Sequence, residues 1–170
     1  MLAPFRLAVA RFAMPLAGAA VLAAGLIAAP AAAQFQQEIG NDMSRCRAGQ
    51  PSIRVNVSGI EAARGTVRVQ LYRGIETEWL QRGKWLYRIE APARAGAMSF
   101  CLPVPAAGPY AVAVRHDING NGETDITTDG GAMSNNPSIN IFNLGRPSVT
   151  RTRFSVAADM VTLNLNMRYM

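Results

Sequence analysis

Strict period-two alternation in residues 161–169 does most to limit what this chain can fold into. Val161, Leu163, Leu165, Met167 and Tyr169 alternate with Thr162, Asn164, Asn166 and Arg168. Successive side chains of a strand point to opposite faces, so the stretch has one apolar and one polar face and reads as a strand lying on a core. The same period recurs upstream. Ile53, Val55 and Val57 alternate with Arg54 and Asn56, and Val67, Val69 and Leu71 alternate with Arg68 and Gln70. Arg64-Gly65 between these two predicts a hairpin turn. Met98, Phe100 and Leu102 form a further set, stopped by Pro103 and Pro105. Tyr110-Ala111-Val112-Ala113-Val114 is apolar on both faces, as a central buried strand is. Residues 148–156 read as extended, with Arg151 and Arg153 outward and Phe154 and Val156 inward, and 139–144 as a short strand or covering loop. Residues 76–81 predict a helical turn, and Trp79, Trp85 and Tyr87 cover the sheet or its edge. About seven short strands without a three-turn helix indicate an all-β fold, an antiparallel β-sandwich.

The first 33 residues read instead as a targeting segment. Arg6 and Arg11 give a basic start, residues 12–29 are almost wholly apolar, and Pro30-Ala31-Ala32-Ala33 presents small residues before Gln34. This is the pattern of a cleaved signal peptide. No Cys stands at the cleavage point and no second apolar run of spanning length follows, so the expected product is exported, periplasmic or secreted, with no transmembrane segment. Removing 33 of 170 residues leaves 137, a polar leader at 34–50 and one domain at 51–170. Without Arg6 and Arg11 the balance is 15 Lys and Arg against 11 Asp and Glu, or +4. The basic residues are scattered along strands, which, with export, argues against nucleic acid. Cys46 and Cys101 remain. In an oxidising compartment an even pair is most simply a disulfide; the alternative is a reactive Cys101 thiol beside His116.

Residues 116–137 carry the chemistry. Asp117-x-Asn119-x-Asn121-Gly122-x-x-Asp125 has the oxygen spacing of a calcium loop. Alternate Asp117, Asn119 and Asn121 can aim oxygens inward on a turning backbone, Gly122 takes the sharp bend, Glu123 offers a carbonyl, and Asp125 holds the ninth position. Asp117, Glu123, Asp125 and Asp129 crowd together with no Lys or Arg between Arg115 and Arg146, a repulsion that a divalent cation would relieve. Against this stands an Asn-Gly turn stabilised by Asx hydrogen bonds alone. Position twelve, where an EF-hand has a bidentate Glu, is Thr128. The half-motif is to be completed by Asp129 or by Ser134, Asn135 and Asn136. Fewer charged ligands predict weak affinity, on the order of 10⁻⁴ to 10⁻³ M, and hard oxygen donors favour calcium over zinc or copper.

Catalytic readings fare less well. Adjacent strand residues face opposite ways, so Asp117 is badly placed to orient His116 in a triad. Ser134 lacks a nucleophile elbow. His116 as a zinc ligand lacks nitrogen or sulfur partners, and is expected to pack at the strand end with a ring nitrogen bonded to the loop. The expectation is a non-enzymatic domain with a calcium-ordered loop that binds an envelope or extracellular partner. The competing reading is an envelope-polymer hydrolase using the loop carboxylates or a metal-bound water.

The run Gly108-x-Tyr110-Ala111-Val112-Ala113-Val114-x-His116-Asp117-x-Asn119-Gly120-Asn121-Gly122-x-x-Asp125 resembles a bacterial exported domain family of unknown function. Its members carry a Tyr-Ala-x-x-x-x-His-Asp-x-Asn-x-Asn-Gly-x-x-Asp signature. The likeness continues through Thr128-Asp129-Gly130, Ser134-Asn135-Asn136-Pro137 and Gly145-x-Pro147-Ser148, and extends to Cys46 and Cys101-Leu102-Pro103. It implies a transthyretin-like or immunoglobulin-like sandwich in the periplasm, with no established activity.

Overall fold

The computed structural model describes residues 35–170; the targeting segment read at 1–33 lies outside the described residues. Strands form where alternation turns an apolar row inward. They are β1 (Gln37–Glu38), β2 (Ser52–Ile60), β3 (Thr66–Arg73), β4 (Tyr87–Pro92), β5 (Gly96–Pro103), β6 (Gly108–Asp117), β7 (Gly130–Met133), β8 (Phe154–Val156) and β9 (Val161–Asn166). The larger sheet has the order β1-β4-β3-β6-β7 with β8 also on β6, and the smaller has the order β5-β2-β9. The fold is all-β. Its sheets are mixed, not antiparallel throughout: β1 runs parallel to β4, and β2 runs parallel to β9.

The reason lies at Arg64-Gly65. These residues do not close a hairpin, because β2 and β3 belong to different sheets. The chain crosses between sheets there, leaving an edge of β2 that β9 later fills in parallel register, Ile53 opposite Val161 and Ser58 opposite Asn166. Gly65 has φ +74°, and a Cβ on it would lie 1.9 Å from the Asp117 carbonyl oxygen. Only glycine passes this crossing without displacing the end of β6.

Both sheets contribute to one core, with Val55, Phe100 and Leu165 from the smaller and Val69, Ile89, Val112 and Val114 from the larger. The two-faced apolarity of β6 has a direct cause. Its outer residues Ala111 and Ala113 lie under a second apolar layer made with Tyr72, Trp79, Trp85, Met133 and Val149. Trp79 is pinned by its Nε1–H, which donates to the Pro147 carbonyl at 2.8 Å.

Residues 35–50, the described part of the polar leader, are attached along their length. Main-chain amides of Gln36, Gln37 and Ile39 donate to the carbonyls of Trp85, Leu86 and Arg88, Phe35 and Ile39 pack on the core, and Cys46 is joined to Cys101 by a disulfide. Residues 148–156 are not extended throughout: a helical turn, α1 (Val149–Thr152), precedes β8. Thr152 Oγ donates back to the Val149 carbonyl at 3.1 Å, which stabilises the turn. Residues 139–144 are a covering loop containing one 3₁₀ turn, Ile141–Asn143. No helix among the described residues is long and apolar enough to cross a membrane.

Candidate functional site

The register of β6 against β3 sorts the residues at its end. Arg68 pairs with Arg115, Val67 with His116 and Thr66 with Asp117, so His116 faces the core while Arg115 and Asp117 face outward. His116 is fully buried, with Nε2 2.8 Å from the Arg64 carbonyl oxygen and Nδ1 2.6 Å from the Tyr169 hydroxyl. A carbonyl only accepts, so Nε2 carries a proton there, and Nδ1 shares a hydrogen bond with the Tyr169 hydroxyl. The Tyr169 oxygen in turn accepts the Glu61 amide at 3.1 Å. The ring therefore joins the 60–65 crossing to the segment after β9, and is not bonded to the acidic loop. Gly130 makes room, since a Cβ there would lie 2.5 Å from the Tyr169 ring.

The loop from 117 to 129 is a nest of Asx turns. Asp117 is buried; its Oδ1 accepts the Gly120 amide and its Oδ2 the Gly122 amide, each at 2.8 Å. Asn119 Oδ1 accepts the Asn121 amide at 3.0 Å, and Asn121 Oδ1 accepts the Glu123 amide at 2.8 Å. The two Asn side chains then converge: both Nδ2 groups donate to one atom, Asp125 Oδ2, at 2.8 Å. Asp129, also buried, clamps the loop by accepting the Ile118 amide at 3.3 Å and the Asp125 amide at 3.0 Å. The Glu123 side chain is exposed.

One further residue belongs here. Arg115 folds back over the loop, donating to Thr124 Oγ1 and the Gly122 carbonyl at 2.8 Å each and lying 3.4 Å from Asp117 Oδ2. The acidic run is thus not without a counter-charge. Residues two apart in a strand share a face, and that parity is the sequence pattern that places Arg115 beside Asp117. Burial holds the Arg115 guanidinium pKa below its ordinary value and the nearby Arg68 charge adds to this, while Asp117, Asp129 and Glu90 act the other way.

Ser134, Asn135 and Asn136 are elsewhere. Ser134 Oγ accepts the Val112 amide and donates to the Thr152 carbonyl at 2.6 Å. Asn135, at φ +65°, donates to the Arg151 and Arg153 carbonyls, and Asn136 bridges to the main chain of Asn164 and Asn166. These residues stitch α1, β8 and β9 to the end of β7, some five residues back along β6 from Asp117.

The donor set decides what the loop can hold. Among the described residues no three His, Cys, Asp or Glu side chains form a metal-holding group. A cation here would rest on two carboxylates, Asp117 and Asp125, with the Asn119 and Asn121 amide oxygens and the Glu123 carbonyl. These are hard oxygen donors, which fit calcium and not zinc. The Asn oxygens now serve turn amides, so holding a cation would mean sharing or re-aiming them.

The fold and this corner define a class: a two-sheet β domain with an Asx-rich polar loop at the end of its central strand. The chain belongs to the family described as "Uncharacterized protein conserved in bacteria (DUF2141)", whose model matches residues 55–164. The match takes in the loop and Cys101 but stops short of Cys46. Neither the curated proteins nor the solved structures include a match.

Proposed function

We propose that the chain is an exported, non-enzymatic β-sandwich domain, transthyretin-like or immunoglobulin-like, whose 117–129 loop takes up calcium and so orders a surface that binds a periplasmic envelope component. The observation that carries this reading is that one loop gathers two carboxylates, two Asn amide oxygens and a free carbonyl within a few residues, with Asn119 and Asn121 tied to Asp125 through their amide nitrogens. Calcium would supply charge neutralisation where Arg115 reaches Asp117 alone. The residues to hold it are Asp117, Asn119, Asn121 and Asp125 with the Glu123 carbonyl, while Asp129 stays on its two amides. The basic, apolar and small-residue order of residues 1–33 and the Cys46–Cys101 disulfide support export.

Thermal melts with calcium and with chelator test the reading. At 10 mM calcium and a dissociation constant of about 0.5 mM, binding to the folded state alone adds about 2 kcal/mol. That raises the midpoint by about 5 °C for a domain of this size. Asp117→Asn with Asp125→Asn should abolish the rise. A midpoint indifferent to calcium in the unaltered protein defeats the proposal. If the paired variant stays stable yet loses turnover on a glycan or peptide panel, the hydrolase reading replaces it.

A further inference from the structure

The outer face of the larger sheet carries a groove of about 490 Å³ that the acidic loop borders but does not fill. Its floor is Gln70 on β3, Ala113 on β6 and Gly131 on β7, all small or flat side chains that share one face by register. One end is closed by Tyr72, Leu80 and Arg146, and the other by Arg115, Thr124 and Asp125. The volume lies within the range of small-molecule sites, roughly 300–1,000 Å³.

Three independent features of this groove point to a ligand. Tyr72 is 4% exposed, yet among the described residues its hydroxyl has no hydrogen-bond partner. Its ring meets Trp79 edge-on at 5.4 Å, which fixes its direction. The hydroxyl itself keeps contact with solvent in the groove, so it is a donor held in one direction and open to a ligand acceptor. Charge is the second feature. Arg68, Arg115, Arg146 and Arg168 line the groove; Arg68 is paired with Glu90 and Arg115 with the acidic loop, which leaves Arg146 and Arg168 with no carboxylate partner among the described residues. The third is apolar exposure. Of the five large hydrophobic side chains exposed among the described residues, Ile126, Leu144 and Met170 all sit on this groove's rim. Exposed apolar groups collected around a concave polar floor mark a binding site more often than a free surface.

We infer that the groove binds a small organic anion with an apolar body: the anionic group meets Arg146 and the Tyr72 hydroxyl, and the body lies along Ile126, Leu144 and Met170. Burial pushes the Tyr72 pKa up to about 12, against the opposing charges of Arg88, Arg68 and Arg146, so the hydroxyl keeps its proton and donates at neutral pH. Arg146 spends one Nη2–H on the Leu80 carbonyl at 3.1 Å and keeps other donors for a ligand. The anion end does not depend on calcium, because the floor, Tyr72 and Arg146 lie on strands and in 139–147; of the apolar contacts only Ile126 belongs to the 117–129 loop.

The test is an NMR titration of the full exported domain with sodium octanoate, with octanol as the uncharged probe, run both in calcium and in chelator. Octanoate should shift the Gln70 side-chain amide and the Gly131 main-chain amide saturably, with a dissociation constant of about 1 mM or tighter. Octanol should bind at least about tenfold more weakly, and Arg146→Gln and Tyr72→Phe should each weaken octanoate about five- to tenfold. Because the Tyr72 hydroxyl has no protein partner, Tyr72→Phe should leave the melting midpoint unchanged, which separates a ligand role from a structural one. Equal binding of octanol, no saturable shift at these amides, or undiminished octanoate affinity in both variants would overturn the inference. Binding in chelator with a midpoint indifferent to calcium would sink the calcium reading and leave this one standing.

Discussion

Gly65→Ala is the sharpest perturbation the structure offers, because three costs meet at one atom. Its φ of +74° is left-handed, which costs a residue with a Cβ about 1–2 kcal/mol. The new Cβ would lie 1.9 Å from the Asp117 oxygen and 2.8 Å from the Ile118 oxygen, both main-chain atoms that cannot swing aside as a side chain would. The end of β6 or the crossing must therefore move. That endangers the bond from the Ala93 amide to the Gly65 carbonyl at 3.0 Å and the bond from His116 Nε2 to the Arg64 carbonyl at 2.8 Å. Each is worth about 1 kcal/mol, so the sum is about 4 kcal/mol. The midpoint should fall by about 10–15 °C in a thermal melt followed by far-ultraviolet circular dichroism. Gly120→Ala and Gly122→Ala are the controls, with φ of +72° and +81° and nothing within 4 Å of a new Cβ. They carry only the backbone cost, about 1 kcal/mol or about 3 °C. All melts are run in chelator so that calcium does not enter. A Gly65→Ala midpoint within about 2 °C of the Gly120→Ala value would refute the reasoning.

Two more expectations follow from the same contacts. Replacing Cys46 and Cys101 by Ala opens a loop with a sequence separation of 55, which should cost about 4 kcal/mol in the chain-entropy model, lowering the denaturant midpoint and steepening the slope because the denatured chain expands. Tyr169→Phe leaves the fully buried His116 Nδ1 without its partner and the Glu61 amide without its acceptor; the expected loss is about 1–3 kcal/mol, read by urea unfolding.

What could be read from the residues was what a local period encodes. The two apolar faces of 110–114 marked the middle of the larger sheet, and the alternation of 161–165 survives as the inward row Leu163 and Leu165. Pairing was harder to read. Arg64-Gly65 looks the same whether a turn joins neighbouring strands or passes from one sheet to the other, and the difference lies in the distant Asp117 backbone. The helical turn at Val149–Thr152 was hidden because Val and Thr favour strands, and it is the Thr152 back-bond together with the Ser134 contact that holds it. At the site, the spacing located Asn119 and Asn121, which meet at Asp125, while Asp117 turns to the Gly120 and Gly122 amides. Arg115 bounds the acidic run instead of lying inside it, so the run itself does not reveal it. Tyr72 gave no local sign, since an outward Tyr on a strand reads as ordinary edge cover until the second apolar layer above it is known.

The partnership of β2 with β9 has a consequence for how the molecule is assembled. Asn56 and Asn164, joined side chain to side chain across these strands, are 108 positions apart. Until the later segment arrives, one flank of β2 shows bare amides and carbonyls, and such a flank recruits any extended peptide that passes. A chain stalled or clipped before residue 161 would therefore be sticky and not simply shorter. Closure of the smaller sheet is a late, long-range event, which makes slow folding and early escort by a holding protein the natural expectation.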